Sequence, residues 1–288
     1  MEEALCLLQI HAHPDDEASK GAGIAARYSA EGARCVLVTC TGGEAGDILN
    51  PAADTEEART DLAKVRQREL EASVEILGYA ALHLLGYLDS GMPDTEPNRH
   101  PGNLWNADQQ EALERLVRIV RSERPQVILT YDDDHSGYPH PDHIRAHELG
   151  VAVFEAAGDP ARFPEAGDPW TPSKLYYMGW THRRISALHE AIVASGQESW
   201  YAKHLDKWDP SGDAGFKTRI DVRPYLPQRS AALLAHATQV APDSFWFALP
   251  DEVVADVYPF EDYKLAKTRV EPEYDETGFE RDLFSGIR

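Results

Sequence analysis

The chain has 288 residues, 42% hydrophobic and 27% charged, which excludes general disorder and suits one core domain with an elaborated second part. Acidic residues outnumber basic ones by 49 to 28, a formal charge of −21. So acidic a surface repels phosphate backbones and anionic lipid, which argues against nucleic-acid and membrane-surface partners.

The chain starts Met1, Glu2, Glu3, without the basic and apolar regions of a signal peptide, and no run of 18 apolar residues follows; a cytoplasmic location is expected. Short apolar runs at 5–10, 34–40, 81–87 and 126–131 read as strands. Cys6, Cys35 and Cys40 fall in or beside such runs without a CxxC pair, and read as small buried hydrophobes. Between the strands lie helix patterns near 18–31, 56–77 and 107–123. Leu62, Val65, Leu70, Val74 and Leu77 recur at the spacing of one helix face. Strands alternating with helices predict an α/β fold, a Rossmann-like parallel sheet with flanking helices. A helix over 141–157 and a fifth strand over 174–180 follow. Pro160, Pro164, Pro169 and Pro172 mark a loop-rich connection. Helices are expected at 183–196 and 224–239, and the acidic tail from 250 reads as irregular. Residues 1–160 are thus read as the α/β core, and 161–288 as the fifth strand plus a C-terminal helical cap rather than an independent domain.

The first strand runs straight into His11-Ala12-His13-Pro14-Asp15-Asp16-Glu17. Open parallel sheets bind ligands beyond the carboxyl ends of their strands, where the strand order reverses. No G-x-G-x-x-G follows, which disfavours a dinucleotide-binding oxidoreductase. Two histidines and three carboxylates suit a borderline metal such as Zn²⁺. Pro14 stiffens the turn, so His13 and Asp16 can face one point while Asp15 faces elsewhere. A single aspartate here would be an ordinary helix cap, but capping accounts for one carboxylate and not for the cluster.

The fourth strand ends at Tyr131 and is followed by Asp132, Asp133, Asp134, His135, Ser136, Gly137, Tyr138, Pro139, His140, Pro141, Asp142 and His143. In a sheet of order 3-2-1-4-5, strands one and four are neighbours at the switch point. The two His/Asp-rich segments should therefore meet. Two ligands from the first and one from the second would suffice for a catalytic zinc, with a fourth position open. The run Asp132–Asp134 reads as a solvated acidic loop.

His-Pro-Asp-Asp after strand one, paired with His-Pro-Asp-His after strand four, resembles the zinc-dependent N-deacetylase family of the PIG-L/LmbE type. Further likeness lies in Thr41-Gly42-Gly43-Glu44-Ala45-Gly46-Asp47, in Arg66-x-x-Glu69-Leu70, in Leu88-Asp89-Ser90-Gly91 and in Ala235-His236-Ala237-Thr238-Gln239. The resemblance implies that His13, Asp16 and His143 bind Zn²⁺. It implies that Asp15 is the general base, His140 the general acid or transition-state stabiliser, and Tyr138 an oxyanion partner. It places Asp47, Arg66 and Asp89 against sugar and inositol hydroxyls, with Lys20 nearby. Ser19-Lys20-Gly21 and Gly46-Asp47-Ile48-Leu49-Asn50-Pro51 lean toward the family branch that cleaves small-molecule mycothiol S-conjugates, over the sister branch that deacetylates N-acetylglucosaminyl-inositol.

Overall fold

A computed structural model of the chain describes residues 4–135, 137–205 and 209–288; Met1–Glu3 and Ser136, named above, lie outside them. In chain order it contains β1 Cys6–His11, α1 Asp16–Ser19, α2 Ala22–Ala30, β2 Arg34–Thr41, α3 Glu56–Thr60, α4 Leu62–Leu77, β3 Ala81–Tyr87, α5 Gln109–Glu123 and β4 Val127–Tyr131. Then follow α6 Pro141–Ala156, β5 Lys174–Met178, α7 His182–Ala194, α8 Ala202–Leu205, β6 Thr218–Asp221, α9 Leu226–Ala235, α10 Asp251–Val257 and β7 Phe260–Thr268. The strands form one seven-stranded sheet of order β3-β2-β1-β4-β5-β7-β6. The first five are mutually parallel, and β7 runs antiparallel to both β5 and β6.

β1 is buried along its whole length, and its side chains alternate between two cores. Cys6, Leu8 and Ile10 join the core that also holds Leu113, Leu116 and Val117 of α5 and Leu149 and Val153 of α6. Leu7 joins the opposite core, with Ile24 of α2, Leu70 of α4 and Leu233 of α9. Each such buried side chain contributes about 1.5–3 kcal/mol. The three cysteines are free and buried, as expected.

Two of the expected helices are interrupted. The 18–31 pattern breaks at Gly21, at φ +88°, where an added Cβ would lie 2.6 Å from Gln9 Oε1. The 56–77 pattern breaks at Asp61, whose carboxylate caps α4 by accepting the Lys64 amide.

The larger correction concerns the C-terminal third. Its tail from 250 is irregular only after Thr268, and the annex is not purely helical: α10 is followed by β7, which with β6 extends the sheet. Acidic residues hid β7 because a hydropathy reading sends them to the surface. Here Glu261 turns inward and accepts the Gly23 and Ile24 amides at the start of α2. Asp262 is likewise buried, accepting from Thr181, Tyr258 and Arg219. Among the described residues no helix is long and apolar enough to cross a membrane.

Candidate active site

β1 and β4 are neighbours, so their carboxyl ends bring the two motifs together. On the β1 side, α1 starts at Asp16. The preceding Asp15 sits in left-handed backbone, φ 106° and ψ −23°. For a non-glycine residue such a conformation costs on the order of 1–3 kcal/mol and persists only where its surroundings over-determine it. Glu17 Oε2 accepts the Asp15 amide at 3.0 Å. Arg66 holds the other side: Nη2 donates to Asp15 Oδ2 at 2.9 Å and to the Pro14 carbonyl, and Nη1 donates to the Gly43 carbonyl at 2.6 Å. Gly43 has φ +69°, and a Cβ there would lie 2.5 Å from the guanidinium, so this close approach requires glycine.

On the β4 side, His140 is the N-cap of α6, and its Nδ1 accepts the Asp142 amide at 3.2 Å. With Nδ1 so occupied, the proton of neutral His140 sits on Nε2. That atom lies 3.9 Å from Asp89 Oδ1. One helical turn brings His143 to the same end of α6, where its ring stacks on Tyr131 at 4.3 Å. Asp142 points inward, fully buried. It accepts from the Ser90 amide at 2.8 Å and from the Ser90 hydroxyl, and faces His13 Nε2 at 3.3 Å.

Among the described residues two groups of side chains could hold an ion: His13, Asp16 and His143, or His13, Asp89, His140 and Asp142. The first fits better. Asp16 Oδ2 lies 3.4 Å from both His13 Nδ1 and His143 Nε2. Donors held at ~2.0–2.1 Å around a tetrahedral centre are about 3.4 Å apart, and His/Asp/His is a donor set of the zinc type. In the second group Asp142 accepts from Ser90, His140 Nδ1 from an amide and Asp89 Oδ1 from the Gly91 amide at 2.8 Å; Asp16 Oδ2 also accepts, from the His13 amide and the Tyr131 hydroxyl, so donor spacing and type, not freedom from hydrogen bonds, set the first group apart. The Asp142–His13 contact instead matches the carboxylate that orients a metal-bound imidazole through its far nitrogen.

Electrostatics favour the same arrangement. Burial pushes His143 down to about 4, so its imidazole is neutral and ready to bind. Burial opposes charge on Asp16, yet Lys20, His143 and His13 hold its carboxyl well below the usual range. Burial also opposes charge on His13, but Asp142, Asp16 and Asp89 raise its pKa well above 6.5. So many carboxylates around one imidazole are a surplus that a divalent cation neutralises. Burial raises Asp15 against the pull of Arg66, and burial together with His13 lowers His140.

The motifs line a cleft of about 440 Å³. Asp15, Lys20, Asp47, Arg66, Asp89, Tyr138 and His140 all reach it, with the three candidate ligands. Their surroundings differ from those that the motifs suggested. Arg66 is 3% exposed and bound to Asp15 and two carbonyls rather than open to ligand. Asp89 sits deep, 3.5 Å from His13 Nε2. Lys20 Nζ is bound to Asp16 Oδ1 at 3.0 Å. Asp47 is exposed on the cleft wall, and Tyr138, 56% exposed, stands 5.2 Å from the His143 ring. Asp133 and Asp134 are exposed, as a solvated acidic loop requires, while Asp132 is half-buried; Asp132 and Asp133 pair with Lys264 of β7.

Other contributors were not singled out from the sequence. Tyr131 donates to Asp16 Oδ2 at 2.7 Å and accepts the Ala12 amide. Its place as the last residue of β4, beside the β1 motif, was the available signal. Leu233, Val240 and Trp246 come from the C-terminal third, and no local pattern marks them for the cleft; Gln239, in the family-like segment 235–239, joins them.

The profile of the family described as GlcNAc-PI de-N-acetylase, PIG-L, matches residues 8–154. The chain is 41% identical over 296 residues to a mycothiol S-conjugate amidase of Streptomyces coelicolor, covering 100% of this chain and 99% of that protein. It is 39% identical over 291 residues to a 1D-myo-inositol 2-acetamido-2-deoxy-alpha-D-glucopyranoside deacetylase of Geodermatophilus obscurus, covering 98% and 97%. The N,N'-diacetylchitobiose deacetylase of Pyrococcus horikoshii superposes with a TM-score of 0.63 at 19% identity, covering 92% of this chain and 84% of that one. The 4-carboxy-2-hydroxymuconate hydratase of Pseudomonas putida also superposes at 0.63, with 17% identity, covering 94% and 100%. At these identities the structural likeness speaks for the fold alone.

Proposed function

This chain belongs to the PIG-L family of amide hydrolases, and from that premise we propose that it is a zinc-dependent amidase of mycothiol S-conjugates. The reaction cleaves the amide between glucosamine and the S-substituted cysteine, leaving a mercapturic acid and glucosaminyl-inositol, a detoxification step. The observation that carries it is the His13, Asp16 and His143 cluster with Asp15 beside it at the cleft, in a chain 41% identical to such an amidase.

His13, Asp16 and His143 would hold the ion. A bound Zn²⁺ supplies Lewis acidity toward a carbonyl oxygen and makes water more acidic. Asp15 accepts the proton of the attacking water; general base catalysis of this kind contributes roughly 10²–10⁴-fold. The Arg66 contact keeps its carboxylate aimed and opposes the rise in pKa that burial imposes. The water oxygen bonds to the carbonyl carbon, and the Tyr138 hydroxyl donates to the oxygen that gains charge. His140 Nε2–H stabilises the charge that develops in the transition state, and the proton that Asp15 took passes to the nitrogen as the C–N bond breaks. Asp47, Asp89 and Lys20 recognise hydroxyls, so a ligand lacking them would leave polar groups unpaired.

A second reading, deacetylation of N-acetylglucosaminyl-inositol, is supported by the 39% identity to a deacetylase over nearly the whole chain. Both substrates carry the glucosaminyl-inositol half. Parallel turnover of a mycothiol bimane conjugate and N-acetylglucosaminyl-inositol decides between them: faster release from the conjugate is expected, and faster turnover of the acetyl compound would reject the amidase reading. Elemental analysis of the same preparation should give one zinc per chain.

A further inference from the structure

Glu17 follows the two aspartates of the first motif, yet it lines no part of the cleft and is 0% exposed. Its Oε2 accepts the amide of Asp15 at 3.0 Å. A carboxylate that reaches back to the amide at its own helix start is a common capping device, usually at the surface. Here the other oxygen, Oε1, is claimed from two distant places. The Ser73 hydroxyl of α4 donates at 2.5 Å, and His236 Nε2 lies at 2.6 Å. Ser73 and His236 are also 0% exposed.

His236 follows the last residue of α9, in a segment pinned from several sides. The Thr238 amide and hydroxyl both donate to Glu69, at 2.8 and 2.7 Å. The Thr238 carbonyl accepts the Leu49 and Asn50 amides. The imidazole is thus a fixed point supplied by the C-terminal third, outside the 8–154 family match.

We propose that His236 is a positioning residue: through Glu17 it holds Asp15 in its left-handed conformation and so keeps the Asp15 carboxylate aimed into the cleft. This rests on the reading of Asp15 as the base. The physical reason is the strain at φ 106°, which relaxes unless something external opposes it. Arg66 grips the carboxylate side and Glu17 the amide side. Without His236, Oε1 loses a partner in a fully buried setting, and the Glu17 carboxylate turns to find another. Released from Glu17, Asp15 moves toward negative φ and its carboxylate swings out of line.

The test compares zinc-loaded enzyme carrying His236→Ala, His236→Gln, Ser73→Ala or Asp15→Asn with wild type, on whichever of the two amide substrates wild type turns over. For His236→Ala, kcat should fall about 10–100-fold, with KM within about twofold and zinc content unchanged. A crystal structure of that variant should show Asp15 relaxed from positive φ. Glutamine places a donor where His236 Nε2 stands, so His236→Gln should recover most of kcat. If His236→Ala does not fold, Ser73→Ala must show the same split between kcat and KM, several-fold in size. The inference is overturned if Asp15→Asn is impaired while His236→Ala, or Ser73→Ala in its place, keeps kcat within about twofold. Loss of kcat that glutamine does not rescue overturns it as well. If Asp15→Asn itself keeps the wild-type rate, the base reading has failed, which is a separate result.

Discussion

Asp16 and Glu280 are both buried carboxylates with basic partners, but they sit in opposite kinds of surroundings. Glu280 accepts from Lys174 Nζ at 2.5 Å, Tyr176 at 2.7 Å and Thr218 at 2.6 Å, and all four residues are 0% exposed. One acid meets one base, every oxygen is paired, and no described cleft reaches them. Asp16 is held by His13, Tyr131, His143 and Lys20 at the wall of a cleft, with Asp15, Asp89 and Asp142 close by. The first cluster is closed and neutral, and fastens the C-terminal tail to β5 and β6. The second is open and over-supplied with carboxylates. A balanced, sealed network has nothing left to bind, whereas surplus charge beside a cavity calls for a cation.

The sharpest way to break this contrast is to remove a candidate ligand. His143→Ala should abolish zinc retention and lower hydrolysis by more than about 10³-fold, several kcal/mol of transition-state stabilisation, as read by elemental analysis and a rate assay. The closed cluster should respond in the other currency. Lys174→Met strands a buried carboxylate and should cost about 3–5 kcal/mol in urea unfolding, while kcat per folded molecule stays unchanged. Adding Glu280→Leu to Lys174→Met should recover only part of that loss, since no charge is left behind but the buried Tyr176 and Thr218 hydroxyls lose their acceptor.

Tyr131→Phe sharpens the comparison on a smaller scale. It deletes the hydrogen bond to the buried Asp16 and the one accepted from the Ala12 amide, and about 2–4 kcal/mol of stability should go with them. Smallest is a pH effect at Glu17 and His236. Burial opposes charge on both, but each holds the other ionised: Glu17 lies below its usual 4.5 and His236 above its usual 6.5. The Glu17 contribution is present above pH 4.5 and is lost as pH falls through its folded value. The His236 contribution is present below pH 6.5 and is lost as pH rises through its folded value. The stability difference between wild type and His236→Gln should therefore be largest between about pH 4.5 and 6.5, measured by denaturant titration across that range.

Much of the site was legible before any coordinates. His13, Asp16, His140 and His143 stand in two short motifs, each directly after a buried strand, and the general rule for open parallel sheets brings those strands side by side. What could not be read locally are the partners. Asp142 lies between His140 and His143 in the sequence, but it faces His13 of the other motif. Arg66 has the chemistry of a ligand contact, and its burial against Asp15 and two carbonyls emerges only when α4 packs beside the loop after β2. β7 was missed because Glu261 and Asp262 are buried by partners far away in sequence.

The sequence alone therefore determined the strand-and-helix alternation, the chemistry of the candidate metal ligands and the end of the sheet where they gather. Those follow from short-range causes: apolar periodicity, the stiffness of proline and the donor types a cation accepts. Tertiary structure decided which imidazole each carboxylate serves, how Asp15 is held in a strained backbone and how the C-terminal third reaches the cleft. A hydrogen bond depends on a separation of about 3 Å and a direction, and residues more than two hundred positions apart acquire both only when the chain is packed.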